Sequence, residues 1–311
     1  MTRMSTQMID EYRPAGRALA VAAFAQRHLP RGKGAVPRCL GKAAGRKPMF
    51  LVTRHGARLA MASKAWDVYA TMALHGGSWD YHDFGWCVNG ILDSSVFYDI
   101  GANVGYFSVE MAKKLGGALK VVAFEPQADL AVAIANSATL NGMDNVQVVQ
   151  AIVGDTAQQT ELYLAPASIH ASAVADSGRP SVGAVQVQMV TIDDLVEAAE
   201  IPPPDMVKID VEGSEHLVFQ GAHRTFRAHR PHIFLEYSAK FDPGFRVRHQ
   251  VEQLVGECSN LELFGHAANG KTSGRSQAWF RMRSEADWQL IDGLFLKNAE
   301  RPVRDALLFE P

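Results

Sequence analysis

Asp99, Gly101, Gly105 and Glu125 have the residue types and the spacing of a nucleoside site. The run Val96-Phe97-Tyr98-Asp99-Ile100 is apolar around its acid and predicts a strand. Gly101-Ala102-Asn103-Val104-Gly105 predicts a tight loop, and the segment from Tyr106 a helix. Gly101 and Gly105 lack a Cβ, so the backbone there can take conformations closed to other residues and a ligand can lie against it. A second apolar strand, Leu119 to Phe124, ends in Glu125-Pro126, about 24 residues beyond Gly101. An acid in that place can accept hydrogen bonds from both hydroxyls of a ribose.

Which nucleoside it is follows from a departure. Dinucleotide folds use a G-x-G-x-x-G loop so that pyrophosphate can sit on a helix N-terminus. Here the first position of that loop is Asp99. A carboxylate beside the loop would repel pyrophosphate and suits a ligand with an ammonium group and a sulfonium centre, which is S-adenosylmethionine. An ordinary glycine-rich turn is the competing reading of the loop alone; the strand, the loop and the strand-end acid together favour the cofactor.

Open α/β sheets bind ligands beyond the carboxyl ends of their strands, and Asp99, Glu125, Asp155, Asp210 and Glu236 fall at or just after such ends. Asp99, Gly101, Asn103 and Gly105 are read as the cofactor loop, with Asp99 toward the methionine part. Glu125 is assigned to the ribose, Ile152 or Val153 to the adenine ring and Asp155 to its amine. Helix capping competes for Asp99 and Glu125, and a plain Gly-Asp turn for Asp155.

Methyl transfer to oxygen is an in-line displacement that needs alignment and a base within hydrogen-bond reach of the acceptor hydroxyl. Asp210 and Glu236, ending adjacent strands, are the leading pair for that task. Glu212 and His216 nearby, and His170 and Ser172 in a long loop, are candidates to meet the acceptor. The two strand-end acids could instead ligate a divalent cation. Without an Asp-Asp-Asn-type set in the sequence that reading is not favoured, and no metal ligand is assigned. Lys208 alternates to the same side as Asp210 on a strand that should be buried, so it is expected to pair with Asp210 or Glu236.

Taken in order, Asp99-Ile100-Gly101-Ala102-Asn103-Val104-Gly105, Phe124-Glu125-Pro126, Gly154-Asp155, Val207-Lys208-Ile209-Asp210-Val211-Glu212-Gly213-Ser214-Glu215 and Phe234-Leu235-Glu236 resemble the FkbM family of S-adenosylmethionine-dependent methyltransferases over about residues 96 to 237. The resemblance implies a class I methyltransferase: a Rossmann-like, doubly wound α/β sheet, mainly parallel with its last strand antiparallel. It also implies an O-methyltransferase acting on a hydroxyl of a sugar, glycan or polyketide-type metabolite. An N- or C-methyltransferase of the same fold is the near alternative. An NAD-linked oxidoreductase and a non-catalytic cofactor-binding protein are the remote ones.

The elements that must position these groups alternate from Val96 onward, as a parallel sheet covered on both faces requires. Strands are expected at 96–100, 119–124, 146–153, 206–210 and 233–237. A last, partly antiparallel pair falls at 261–264 and 290–296, and helices at 105–115, 127–140 and 245–256. Segments 158–164 and 185–190 read as an inserted β pair around the loop 165–184, whose Ser, Ala and Gly content suits a lid. Thr191, with Asp193 and Asp194 behind it, should cap a helix. Upstream, 49–53 and 59–61 read as a hairpin and 65–74 as a helix. The chain therefore divides into a basic leader at 1–48, partly disordered on its composition, a hairpin and helical cap at 49–95, and the cofactor-binding domain at 96–311.

With 311 residues, 47% hydrophobic and 21% charged, the chain has the composition of a globular protein and neither a disordered nor a collagen-like one. The net charge of −2 conceals an asymmetry, since residues 1–50 carry ten Lys and Arg against Asp10 and Glu11. Such a leader is suited to touch an anionic membrane surface; a solvated leader is the blander reading. No specific nucleic-acid partner is expected. Ala18 to Ala25 is too short an apolar run to cross a bilayer. Three scattered cysteines without a C-x-x-C pair fit a reducing cytoplasm.

Overall fold

The computed structural model describes residues 12–28, 48–62, 64–78, 95–164, 182–237, 244–267 and 279–301, with positions 39, 239, 242 and 309–310 beside them. His170 and Ser172, and nearly all of the loop 165–184, lie outside the described residues.

Arg13–Pro14 (β1) leads into the helix Gly16–His28 (α1), and pairs in parallel with Met49–Val52 (β2). That strand forms the expected antiparallel hairpin with Arg58–Ala60 (β3). Trp66–Leu74 (α2) follows, burying Trp66, Val68, Tyr69, Ala70 and Met72. The fully buried Tyr69 hydroxyl donates to the Ala60 carbonyl at 3.0 Å and accepts from the Ala62 amide at 3.1 Å, which fastens the helix to the hairpin.

Val96–Ile100 (β4), Tyr106–Leu115 (α3), Lys120–Phe124 (β5) and Ala128–Leu140 (α4) form the first βαβα unit. The strands are apolar on both faces because helices cover both sides of the sheet. Where the sequence pattern suggests one strand at 146–153, the chain instead forms Val146–Val149 (β6) in the main sheet and Ile152–Val153 (β7) in another. The break falls at Gln150 and Ala151, and β7 then pairs with the inserted β hairpin rather than with its own neighbour in sequence. That hairpin is Gln158–Leu164 (β8) with Gly183–Val190 (β9), antiparallel as expected, and β7 lies parallel to β9. Ile192–Glu197 (α5) begins at Thr191, whose hydroxyl accepts from the Asp194 amide at 3.0 Å.

Met206–Ile209 (β10), Glu215–Gly221 (α6), His223–His229 (α7), His232–Glu236 (β11) and Arg246–Glu257 (α8) complete the parallel part. Leu261–Ala267 (β12), Trp279–Arg281 (β13), Ile291–Asn298 (β14) and Phe309–Glu310 (β15) close it. The described residues order the nine strands of the main sheet as β15-β13-β12-β14-β11-β10-β4-β5-β6. From β6 to β11 all pairings are parallel, and β14 enters antiparallel between β11 and β12. Strand order reverses between β4 and β10, the crevice where such sheets bind ligands.

Register fixes the site. Gly101 follows Ile100, which pairs with Ile209; Asp210 follows Ile209, which pairs with Leu235; Glu236 pairs with Gly293, and Gly293 with His266. One row of residues, Gly101-Asp210-Glu236-Gly293-His266, thus runs along the carboxyl edge of the parallel strands. Because side chains alternate along a strand, Asp210 shares its face with Lys208.

Candidate active site

The loop after β4 takes left-handed backbone at Gly101 (φ 79°), Asn103 (φ 52°) and Gly105 (φ 77°). At Gly101 the reason is packing within the chain. A Cβ there would stand 1.9 Å from the Asp210 carbonyl oxygen, so only glycine lets β4 and β10 deliver their ends side by side. Gly105 likewise sits against Ile134 of α4.

An open cleft of about 510 Å³, solvent at its mouth included, lies over this loop, within the size range of small-molecule sites. Gly101, Asn103, Glu125, Ile152 and Asp210 line it, as does Glu212. Phe124, Ala151, Val153 and Leu162 add apolar wall. The structure therefore gathers six of the residues singled out from the sequence into one cleft. Asp99, Gly105, Asp155, Glu236 and His216 are not among its lining residues.

Glu125 is buried, and its two oxygens accept from the Asn103 amide at 2.8 Å and the Gln127 amide at 2.9 Å. Burial pushes its carboxyl up to about 8, and the two amide hydrogen bonds pull the other way without cancelling it. Asn103 Oδ1 is buried with no hydrogen-bond partner among the described residues. An orphaned acceptor and a half-used carboxylate in a cleft with apolar walls fit a ligand that brings hydroxyl and ammonium donors and a flat apolar ring, as S-adenosylmethionine does.

Asp99 is turned away from the cleft. It is fully buried, and Oδ2 accepts from the Ser108 amide at 3.0 Å and the Ser108 hydroxyl at 2.6 Å. Its carboxylate thus sits on the first turn of α3, at the helix N-terminus that a dinucleotide fold offers to pyrophosphate. Lys208 Nζ lies 3.5 Å from Asp99 Oδ1 and 3.2 Å from Asp210 Oδ2, with the Phe107 ring 5.0 Å below. Of the two expected partners Lys208 takes Asp210, and it adds Asp99, which sequence reasoning had not paired with it.

Glu236 exposes part of its side chain, yet its carboxyl is raised above the ordinary range by desolvation first, then by the charges of Asp210 and Glu212. Glu212 holds left-handed backbone (φ 54°) in the turn after β10. His216, in the first turns of α6, bonds Arg246 at 3.1 Å. Its imidazole is pushed below its ordinary value by desolvation first and then by Arg246, which favours the neutral form. Asp155 is exposed beyond β7.

One pair had no signal in the sequence. His266 Nδ1 lies 2.6 Å from Asp292 Oδ1, two strands along the row from Glu236, and the His266 ring tilts against Trp279 at 5.1 Å. The two residues are 26 positions apart and belong to no spaced motif; only the pairing of β12 with β14 brings them together. Among the described residues no three His, Cys, Asp or Glu side chains group as a metal site.

A parallel sheet with a glycine loop after β4, an acid after β5 and an antiparallel strand slotted in beside β11 defines a class I S-adenosylmethionine-dependent methyltransferase fold. Within that class, the model of the methyltransferase FkbM domain matches residues 99–266, and the chain belongs to this family. Hexuronic acid methyltransferase AglP of Haloferax volcanii is 28% identical over 155 residues, 49% of this chain and 59% of that protein. The chain thus spans less than two thirds of the length of that relative. Among solved structures, methyltransferase FkbM from Methylobacillus flagellatus KT is 14% identical with a TM-score of 0.44, over 75% of this chain and 55% of the other. The O-methyltransferase TomG from Streptomyces achromogenes, in complex with its methyl donor, is 16% identical with a TM-score of 0.43, over 76% and 87%.

Proposed function

We propose that this protein transfers a methyl group from S-adenosylmethionine to an oxygen of a sugar-type acceptor. The observation that supports the reading is the row Gly101-Asp210-Glu236 along the carboxyl edge of the sheet, in which Asp210 lines the cleft together with Glu125 and Glu236 follows on the next strand. When bound, S-adenosylmethionine supplies an electrophilic methyl group on a sulfonium centre. Glu125 then accepts from the ribose hydroxyls, Asn103 Oδ1 finds the donor it lacks, and Ile152 with Leu162 forms the apolar wall for the adenine.

Asp210 and Glu236 are assigned to the acceptor hydroxyl. Lys208 Nζ, 3.2 Å from Asp210 Oδ2, holds that carboxylate in place. Glu236, with its carboxyl raised toward the working pH, is suited to take a proton from the acceptor. The His266–Asp292 pair, about 10 Å further along the row by strand spacing, is placed to hold a distal part of the same acceptor. The sugar assignment draws on the relative named for hexuronic acid.

Incubation of the purified protein with methyl-labelled donor and separate pools of hexuronic acids, neutral glycans and polyketides tests the reading by mass spectrometry of the product. Label on a sugar oxygen supports it. Label on nitrogen or carbon, or on the polyketide pool alone, overturns the acceptor assignment.

A further inference from the structure

Helix α1 is apolar on two faces, and its own chain covers only one. Leu19, Ala22 and Ala23 are buried. Arg17, Ala20, Val21, Phe24 and His28 recur at the spacing of the opposite face and are all exposed, with Val21 55% and Phe24 66% open to solvent. A helix apolar on both sides ordinarily has something against both. Here the outer stripe has a cation, Arg17, at one end, and at the other the Phe24 ring stands 4.4 Å from that of His28.

Charge says what the stripe fits. From Tyr12 to Trp66 the chain carries twelve Lys and Arg and no Asp or Glu. Pairing of β1 with β2 joins the start of the helix to the hairpin, where Val52, Arg54 and Arg58 are also exposed. A second copy would bring the same positive charge against itself. A nucleic acid would leave Val21 and Phe24 unused. An anionic lipid surface satisfies both parts, taking apolar side chains among its acyl chains and cations at its headgroups. No helix among the described residues is long and apolar enough to cross a membrane.

We propose that α1 docks the protein on an anionic membrane surface, with Val21 and Phe24 inserted and the exposed Arg13, Arg17, Arg54 and Arg58 at the headgroups. The proposal is independent of which acceptor the cleft takes.

Sedimentation of the full chain with vesicles of phosphatidylcholine, with and without phosphatidylglycerol, tests it. Binding to the anionic vesicles alone, weakened at high salt, is expected. A Val21→Ser/Phe24→Ser variant should bind at least tenfold less with an unchanged melting temperature, because both side chains are exposed. Should that variant melt early, the single Phe24→Gln and Arg17→Glu variants decide, each expected to weaken binding severalfold. Equal binding to neutral and anionic vesicles, no binding to either, or no effect of the variants overturns the proposal. So does a concentration-dependent dimer, or capture of an oligonucleotide, that the same variants abolish in place of vesicle binding.

Discussion

Gly101 and Asp210 meet where their strands end, so closely that a single carbon added to Gly101 would stand 1.9 Å from the Asp210 carbonyl oxygen. The glycine loop after β4 and Asp210 at the end of β10 are therefore set by one contact. A Gly101→Ala substitution must displace one strand end, against a φ of 79° that also disfavours a side chain. The expected result is loss of cofactor binding in calorimetry, with destabilisation of about 1–3 kcal/mol in a urea titration. Unaltered binding in the folded variant would show that the loop tolerates what its geometry forbids.

Lys208 is buried between Asp99 and Asp210. Lys208→Met leaves Asp99 with its two Ser108 hydrogen bonds and no cation, and a broken buried pair costs about 3–5 kcal/mol. Chemical denaturation should show that loss, and a change below about 1 kcal/mol would mean that the pair contributes little.

Glu125 sets a pH dependence in the ligand-free protein. Its carboxyl lies at about 8 folded, above its ordinary value of 4.5. Between those values the folded state holds a proton that the unfolded state has lost, so this residue stabilises the fold fully below about 4.5. That contribution is lost as pH rises through 8, at up to about 1.4 kcal/mol per pH unit. Melting measured across that range should fall with pH in the parent and fall less steeply in Glu125→Gln. Parallel curves would mean that Glu125 is already ionised.

Much of this arrangement was legible in the sequence, for physical reasons. Strands β4, β5, β10 and β11 announce themselves because apolar runs ending in Asp, Glu and Gly have few other ways to fold. Thr191 ahead of two acids is a capping pattern that needs no tertiary context. What the sequence hid is what pairing decides. The break at Gln150 that sends β7 to another sheet carries no Gly or Pro to mark it. Asp99 turning under the loop onto Ser108, and His266 reaching Asp292, depend on register between strands.

Asp210→Asn and Glu236→Gln should each retain donor affinity within a few fold and lose roughly 100-fold or more in turnover, since a base acts on the acceptor proton. Because the Glu236 carboxyl is raised, turnover of the parent should climb as pH rises past neutrality, and Glu236→Gln should lose that limb. A chelator should have little effect. If it abolishes turnover and Mg²⁺ restores it, the two carboxylates are metal ligands instead.

Titration calorimetry of S-adenosylmethionine into the parent and into Glu125→Ala tests the cleft itself. The parent should bind the donor and give no heat with NAD, and the variant should bind about 1–3 kcal/mol more weakly, roughly a 5- to 150-fold loss, because two ribose hydroxyls lose their carboxyl partner. Equal affinity in a folded Glu125→Ala variant, or preferential binding of NAD by the parent, would contradict the account.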